Sequence, residues 1–292
     1  MAAPPSLFDR ALIRRRLLRA RKAPATFLLE RVAIEFAERL SLVSRSFPRA
    51  LDLGTPGPHL AQALQANGRL VFRAAPIVDD PPWRLSIVAD EEALPFAENS
   101  FELVVSALSL QWANDLPGAL VQIRRALKPD GLFLAALPGG QTLTELRTAL
   151  TAAEAELTGG ASPRVAPFAD LRDLGALLQR AGFALPVTDA EPLVVRYASM
   201  FALMQDLRAM GATNTLAERS RIPLRRAVLL RAAEIYAERF SDADGRIRAT
   251  FEIVWLSGWA PHESQQKPLA PGSARMRLAD ALHVSEGKLP RD

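Results

Sequence analysis

The stretch Leu51-Asp52-Leu53-Gly54-Thr55-Pro56-Gly57-Pro58-His59-Leu60 constrains the fold most. An apolar run at 50–53 enters a turn holding two glycines, and a helical pattern starts at about Pro58. Strand, glycine turn and helix in this order is the unit by which an open α/β sheet presents backbone N–H groups to a nucleotide-like ligand. Two prolines stand in the same turn. Proline fixes φ near −65° and has no N–H, so each removes both a donor and a degree of freedom there.

The βα alternation continues downstream, the pattern of a mostly parallel sheet. Strands are expected at 70–74, 85–89, 101–107 and 132–137, with helices at 58–65, 116–127, 142–157 and 170–181. Lys128-Pro129-Asp130-Gly131 reads as a turn. A sixth strand is expected at 186–196. The alternation then gives way to helical patterns at 200–210 and 224–240, and returns as a last strand at 250–255 with Phe251, Ile253 and Trp255 on one face. Ahead of the first strand, 6–20 and 25–42 read as helices. The first is amphipathic and carries Arg10, Arg14, Arg15, Arg16 and Arg19. Its basic residues fit a solvated face of a cap helix, or a surface for an acidic partner or anionic lipid.

The expected organisation is an N-terminal helical cap at 1–45, a Rossmann-like sheet domain at 46–198 and 249–260, a helical lid at 199–248 over the carboxyl edge of the sheet, and a C-terminal tail at 261–292. The final strand is expected to be antiparallel to a mostly parallel sheet.

Composition excludes some chemistries. The 292 residues contain no cysteine, which rules out disulfides, thiolate metal sites and a cysteine nucleophile. No run approaches the ~20 apolar residues of a membrane span. Basic residues number 36 against 32 acidic, and only Lys22, Lys128, Lys267 and Lys288 of them are lysine. That arginine bias goes with abundant alanine and proline, as in GC-rich coding, more than with nucleic-acid binding. The histidines are His59, His262 and His283, too few and too scattered for a catalytic metal cluster.

Four motifs in order, Asp52-Leu53-Gly54, Ala89-Asp90-Glu91-Glu92-Ala93-Leu94-Pro95-Phe96, Ser100-Phe101-Glu102-Leu103-Val104-Val105-Ser106 and Leu127-Lys128-Pro129-Asp130-Gly131, resemble the class I S-adenosylmethionine (SAM) dependent methyltransferases. Further stretches, among them Phe8-Asp9-Arg10, Ser109-Leu110-Gln111-Trp112, Gly139-Gly140-Gln141-Thr142-Leu143, Ser162-Pro163-Arg164-Val165, Met210-Gly211-Ala212-Thr213-Asn214 and His262-Glu263-Ser264-Gln265, resemble the complex I assembly factor 5 family and its alphaproteobacterial members. That resemblance implies a methyltransferase-fold protein acting on arginine hydroxylation during assembly of respiratory complex I. The lid and last strand (Phe201, Leu207, Gly211, Thr250 to Ile253) also resemble malonyl-carrier-protein O-methyltransferases of biotin synthesis.

The resemblance implies a SAM site at Asp52, Gly54, Gly57, Ala75, Asp90, Glu91, Ser106 and Leu108, and an acceptor side at Gln111, Trp112, Tyr197 and His262. It assigns no catalytic residue and no metal. Three elements depart from the family. Pro56 and Pro58 stand where it has loop glycines. Ala75 stands where it has the acid that accepts the ribose hydroxyls, with Asp79 or Asp80 as the nearest substitutes. The link between the second and third strands is short and proline-rich, below the dozen or more residues of an ordinary parallel crossover. SAM binding is therefore expected to be weak or absent. The plainer readings are a turn cap for Asp90, core packing for Trp112 and a loop histidine for His262. Three functions follow: a SAM-dependent enzyme of complex I assembly with an eroded pocket, a non-catalytic scaffold on a degenerate methyltransferase fold, or a malonyl-carrier-protein methyltransferase whose Arg225, Arg226 and Arg231 meet an acidic carrier. The expected partner is a protein such as a complex I subunit, with no nucleic acid and, at most, peripheral membrane contact. The expected compartment is the bacterial cytoplasm, or the mitochondrial matrix side in a eukaryote.

Overall fold

The computed structural model describes residues 6–266 and the single positions Ser273, Met276, Asp280 and His283. The chain divides into two units, Met1–Pro261 and His262–Asp292. The expected surface course of the tail lies largely outside the described residues.

The first unit holds a seven-stranded sheet. Its strands are β1 (Arg49–Leu53), β2 (Leu70–Ala75), β3 (Ser86–Val88), β4 (Phe101–Ala107), β5 (Leu127–Pro138), β6 (Ala184–Tyr197) and β7 (Ile247–Trp259), in the order β3-β2-β1-β4-β5-β7-β6. Strands β1 to β5 pair in parallel, and β7 is antiparallel to both β5 and β6. This is the expected Rossmann-like sheet with its antiparallel last strand. The order reverses between β1 and β4, so the crevice at their carboxyl ends is where such a sheet binds ligands.

Parallel strands covered on both faces read as continuous apolar runs. In β5, Leu132, Leu134 and Ala136 enter one core, and Phe133, Ala135 and Leu137 enter the other. The first core is closed by α2 (Phe27–Ser41), α3 (His59–Ala66), α5 (Thr144–Thr158), α7 (Met200–Ala209) and α8 (Arg226–Phe240). The second is closed by α4 (Leu116–Ala126) and α6 (Leu171–Arg180).

Three local expectations need correction. The turn at 128–131 lies inside β5, because β4 pairs with the strand on both sides of it: Phe101 faces Leu127, Leu103 faces Leu132, and the bulge between them puts Asp130 at φ +64°. The last strand is 13 residues long rather than six, since it pairs along the whole of β6. The first helix, α1 (Arg10–Ala20), starts later than residue 6, because the Asp9 side chain caps it by accepting from Leu12 N at 2.9 Å. Phe8, just before the cap, bridges to Leu216 and packs with Ile13, Leu17 and Trp112. No described helix is long and apolar enough to cross a membrane.

The link between β2 and β3 carries no helix, in keeping with its length and prolines. Trp83 holds it by donating from Nε1 to the Val71 carbonyl at 3.0 Å.

Candidate functional site

The site begins at the carboxyl end of β1. Asp52 and Arg73 are register partners on adjacent parallel strands, so their side chains meet on one face. The Arg73 side chain is 1% exposed and its ion-pair partner Asp52 is fully buried. Arg73 donates from Nη1 to Asp52 Oδ2, from Nε to Asp79 Oδ2 at 2.8 Å, and from Nη2 to Asp79 Oδ1 at 3.1 Å and the Thr55 carbonyl at 3.0 Å. All three guanidinium nitrogens are thus used inside the protein. Even so, burial pushes the Asp52 carboxyl up to about 6 against the opposing pull of Arg73.

The glycine turn follows. Gly54 takes φ +73° and Gly57 φ +78°, so the positive φ values that the prolines forbid are supplied by the two remaining glycines. Pro58 is the N-cap residue of α3, one position before the helix proper. Thr55 ties the turn to β4, its Oγ1 accepting from Ala107 N at 3.0 Å.

The space in front of Gly54 is occupied by protein. A Cβ there would lie 2.6 Å from Glu91 Oε1 and closer still to Ser109 Oγ. Those two groups are bonded to each other, Ser109 Oγ donating to Glu91 Oε1 at 2.7 Å. Glu91, whose side chain is 3% exposed, is also ion-paired with Arg10. Arg10 reaches Asp90 Oδ1 at 2.7 Å and the Trp112 carbonyl at 3.1 Å. Asp90 further accepts from Glu92 N at 3.1 Å, the turn cap read from the sequence, and from Arg14 at 3.5 Å. The basic face of α1 is therefore not simply solvated. Burial alone would lower the Arg10 guanidinium, and the charges of Glu91 and Asp90 outweigh it. Arg10→Gln is expected to cost about 2 kcal/mol in a urea melt, because Glu91 and Asp90 lose charge-assisted hydrogen bonds from a part-exposed arginine. It should also speed proteolysis near residue 10.

A cavity of about 660 Å³ opens beside the turn. Of the residues expected at the site, Gly54, Gly57, Ala75, Leu108, Gln111 and Trp112 line it. Asp52, Asp90, Glu91 and Ser106 are not among its lining residues. Asp52, Asp90 and Glu91 are held by the arginine contacts above, and Ser106 is fully buried on β4 with its Oγ unpartnered. Tyr197, expected on the acceptor side, is buried at the end of β6 in the main core with Met200, Leu203 and Ile247 and is not among the cavity's lining residues. His262 belongs to the second unit, where its Nδ1 lies 2.8 Å from Ser264 Oγ. Trp112 is both core and wall, packed on Phe8 and Leu17 and exposed to the cavity. Among the described residues, no group of three His, Asp or Glu side chains could hold a metal ion.

The sequence reading missed the arginines. Arg73 carried a signal: it is the one charged residue in the otherwise apolar run 70–75, and a buried central strand has no solvent for it. Arg16, Arg208, Arg219 and Arg221, which also line the cavity, come from α1, α7 and the loop before α8. Nothing in their local pattern brings them together.

Comparison with known proteins accords with this geometry. A family described as "Methyltransferase domain" matches residues 59–135, beginning at the first residue of α3. The arginine-hydroxylase NDUFAF5, mitochondrial, of Danio rerio is 42% identical over 98% of this chain and 92% of its own length. A malonyl-[acyl-carrier protein] O-methyltransferase of Halorhodospira halophila is 35% identical over 92% of this chain and 94% of its own. The crystal structure of the YcgJ protein of Bacillus subtilis matches the fold with a TM-score of 0.52 at 14% identity, covering 80% of this chain and 99% of that one. The chain belongs to the family of the arginine-hydroxylase NDUFAF5, built on the fold of the class I SAM-dependent methyltransferases.

Proposed function

We propose that this protein acts in the assembly of respiratory complex I, the NADH:ubiquinone oxidoreductase, through contact with a protein partner, and that it holds SAM weakly or not at all. The whole-length likeness to the mitochondrial arginine-hydroxylase supports the assembly role. The pocket geometry supports the second part. The residues present do not fit the polar recipe for SAM. Ala75 ends β2 without a carboxylate, and Asp79, the nearest substitute, spends both its oxygens on Arg73. Asp80 is mostly exposed and lies 3.8 Å from Arg21. Asp90, one of the SAM-site residues implied by the resemblance, is engaged by Arg10 and Arg14. Each lost charge-assisted hydrogen bond is worth about 1.5–3 kcal/mol, roughly one to two decades in affinity.

The observation that carries this reading is the internal pairing of Arg73 with Asp52 and Asp79. Isothermal titration with SAM and with S-adenosylhomocysteine is the test. No saturation below about 100 µM is expected, which is two decades above micromolar binding. A low-micromolar dissociation constant, or purification with the cofactor in place, would defeat it.

The second reading is a malonyl-carrier-protein methyltransferase, favoured by the relative from Halorhodospira halophila. Its basic docking face is reduced, because Arg231 is paired with Glu156 at 3.0 Å and with Glu234 at 3.2 Å. Deleting the gene separates the two readings: loss of complex I supports assembly, and biotin auxotrophy supports the carrier-protein enzyme.

A further inference from the structure

The cavity beside the glycine turn has a charge that its SAM-side reading does not use. One wall is apolar, built from Leu29 on α2, Leu146 and Leu150 on α5, and Met204 and Leu207 on α7. The lining also carries arginines from α1, from the end of α7 beside Leu207, and from the loop before α8. The two carboxylates in the lining, Asp79 and Asp80, are taken by Arg73 and Arg21. Arg164 is taken by Glu154, and Arg219 by Asp9.

Among the described residues, this leaves Arg16, Arg208 and Arg221 on the lining with no carboxylate within 4.0 Å. Arg16 spends its Nη1 on backbone carbonyls, those of Thr213, at 2.6 Å, and Asn214. Burial and the neighbouring charge of Arg219 lower its guanidinium to about 10. Cations gathered without counter-charges around an apolar chamber are stabilised by an anion, and a chamber with a large apolar wall takes most of its binding energy from an apolar body.

We propose that this cavity binds an amphipathic anion: an aliphatic chain lying on the leucine and methionine wall, with a carboxylate head paired by Arg16, Arg208 and Arg221. The proposal goes beyond the assembly role and stands whether or not SAM binds.

Decanoate is the test ligand, titrated calorimetrically into the full-length protein beside decanol, decyltrimethylammonium and inorganic phosphate. Decanoate should saturate at least about tenfold more tightly than decanol, as one charge-assisted pair in a partly dry site implies. Phosphate and decyltrimethylammonium should bind far more weakly. The double variant R208Q/R221Q removes two exposed arginines that hold nothing else in the described structure, so it should melt like the parent. It should lose about tenfold in decanoate affinity and leave decanol unchanged. Absence of saturable decanoate binding, equal affinity for decanoate and decanol, phosphate alone binding as tightly as decanoate, or decanoate binding untouched in the folded double variant would each overturn the proposal.

Discussion

Arg73→Met is expected to lower unfolding stability by about 3–5 kcal/mol, the cost of removing one partner from a buried ion pair. Methionine refills much of the stem volume but none of the charge. Asp52 would keep its place at the end of β1 without the cation that pairs its Oδ2. The Thr55 carbonyl and Asp79 would also lose their donor. The penalty should depend on pH with a definite sign. The folded Asp52 carboxyl stands at about 6, above its ordinary 3.8, so the stability it contributes is full below about 3.8 and is lost as pH rises through 6. Removing Arg73 withdraws the pull that holds this value down and leaves burial unopposed. The variant should therefore lose more at pH 8, where the carboxylate must be buried as an ion, than at pH 5, where it stays protonated. Urea melts of both proteins at the two pH values measure this. Adding Asp52→Asn should recover part of the loss at pH 8 and little at pH 5. A penalty under about 1 kcal/mol, or one that is flat across that range, would mean that Arg73 does not hold the turn together.

Much of the fold was legible because its signals are local. The alternation of apolar runs with helical periods gives a parallel sheet, and the Gly-containing turn after β1 marks where the crevice lies. The missing crossover helix between β2 and β3 was legible for the same reason, since 76–85 holds Pro76, Pro81 and Pro82 in a link too short for one. Strand ends were less legible. The length of β7 is set by its pairing with β6, and the bulge around Asp130 by β4, neither of which is adjacent in sequence.

The partners of the acids at the candidate site were not legible in the sequence. Ala75 and the two prolines were legible as departures from the family's pattern. They did not announce what the remaining acids do instead. Asp52 is paired across one strand, but Asp90 and Glu91 are paired with a helix some 80 residues earlier, and Ser109 with Glu91 across the end of β4. Tyr197 was expected at the cleft from its place just ahead of the 199–248 segment, and the end of β6 places it in the main core.

Gly54→Ala is expected to be the more damaging of the two turn-glycine substitutions, and the comparison bears on why the turn has kept this residue. At φ +73° a side chain costs about 1–2 kcal/mol on its own. Overpacking against Ser109 and Glu91 adds about 1–3 kcal/mol, because both neighbours are pinned by their mutual hydrogen bond and by Arg10 and have little room to retreat. The total, about 2–5 kcal/mol, is a large share of the stability of an ordinary domain. Gly57→Ala meets nothing nearer than His59 Cδ2 at 3.7 Å and should show only the backbone cost of about 1–2 kcal/mol. Adding Ser109→Gly should relieve part of the Gly54→Ala loss, and Glu91 should keep the remainder. In a turn that kept its glycine for a ligand's close approach, Gly54→Ala would fold nearly as well as Gly57→Ala and lose only binding. Equal urea midpoints for the two variants would therefore return Gly54 to the ligand, whereas a Gly54→Ala midpoint well below that of Gly57→Ala assigns the glycine to the packing of Glu91 and Ser109 against the turn.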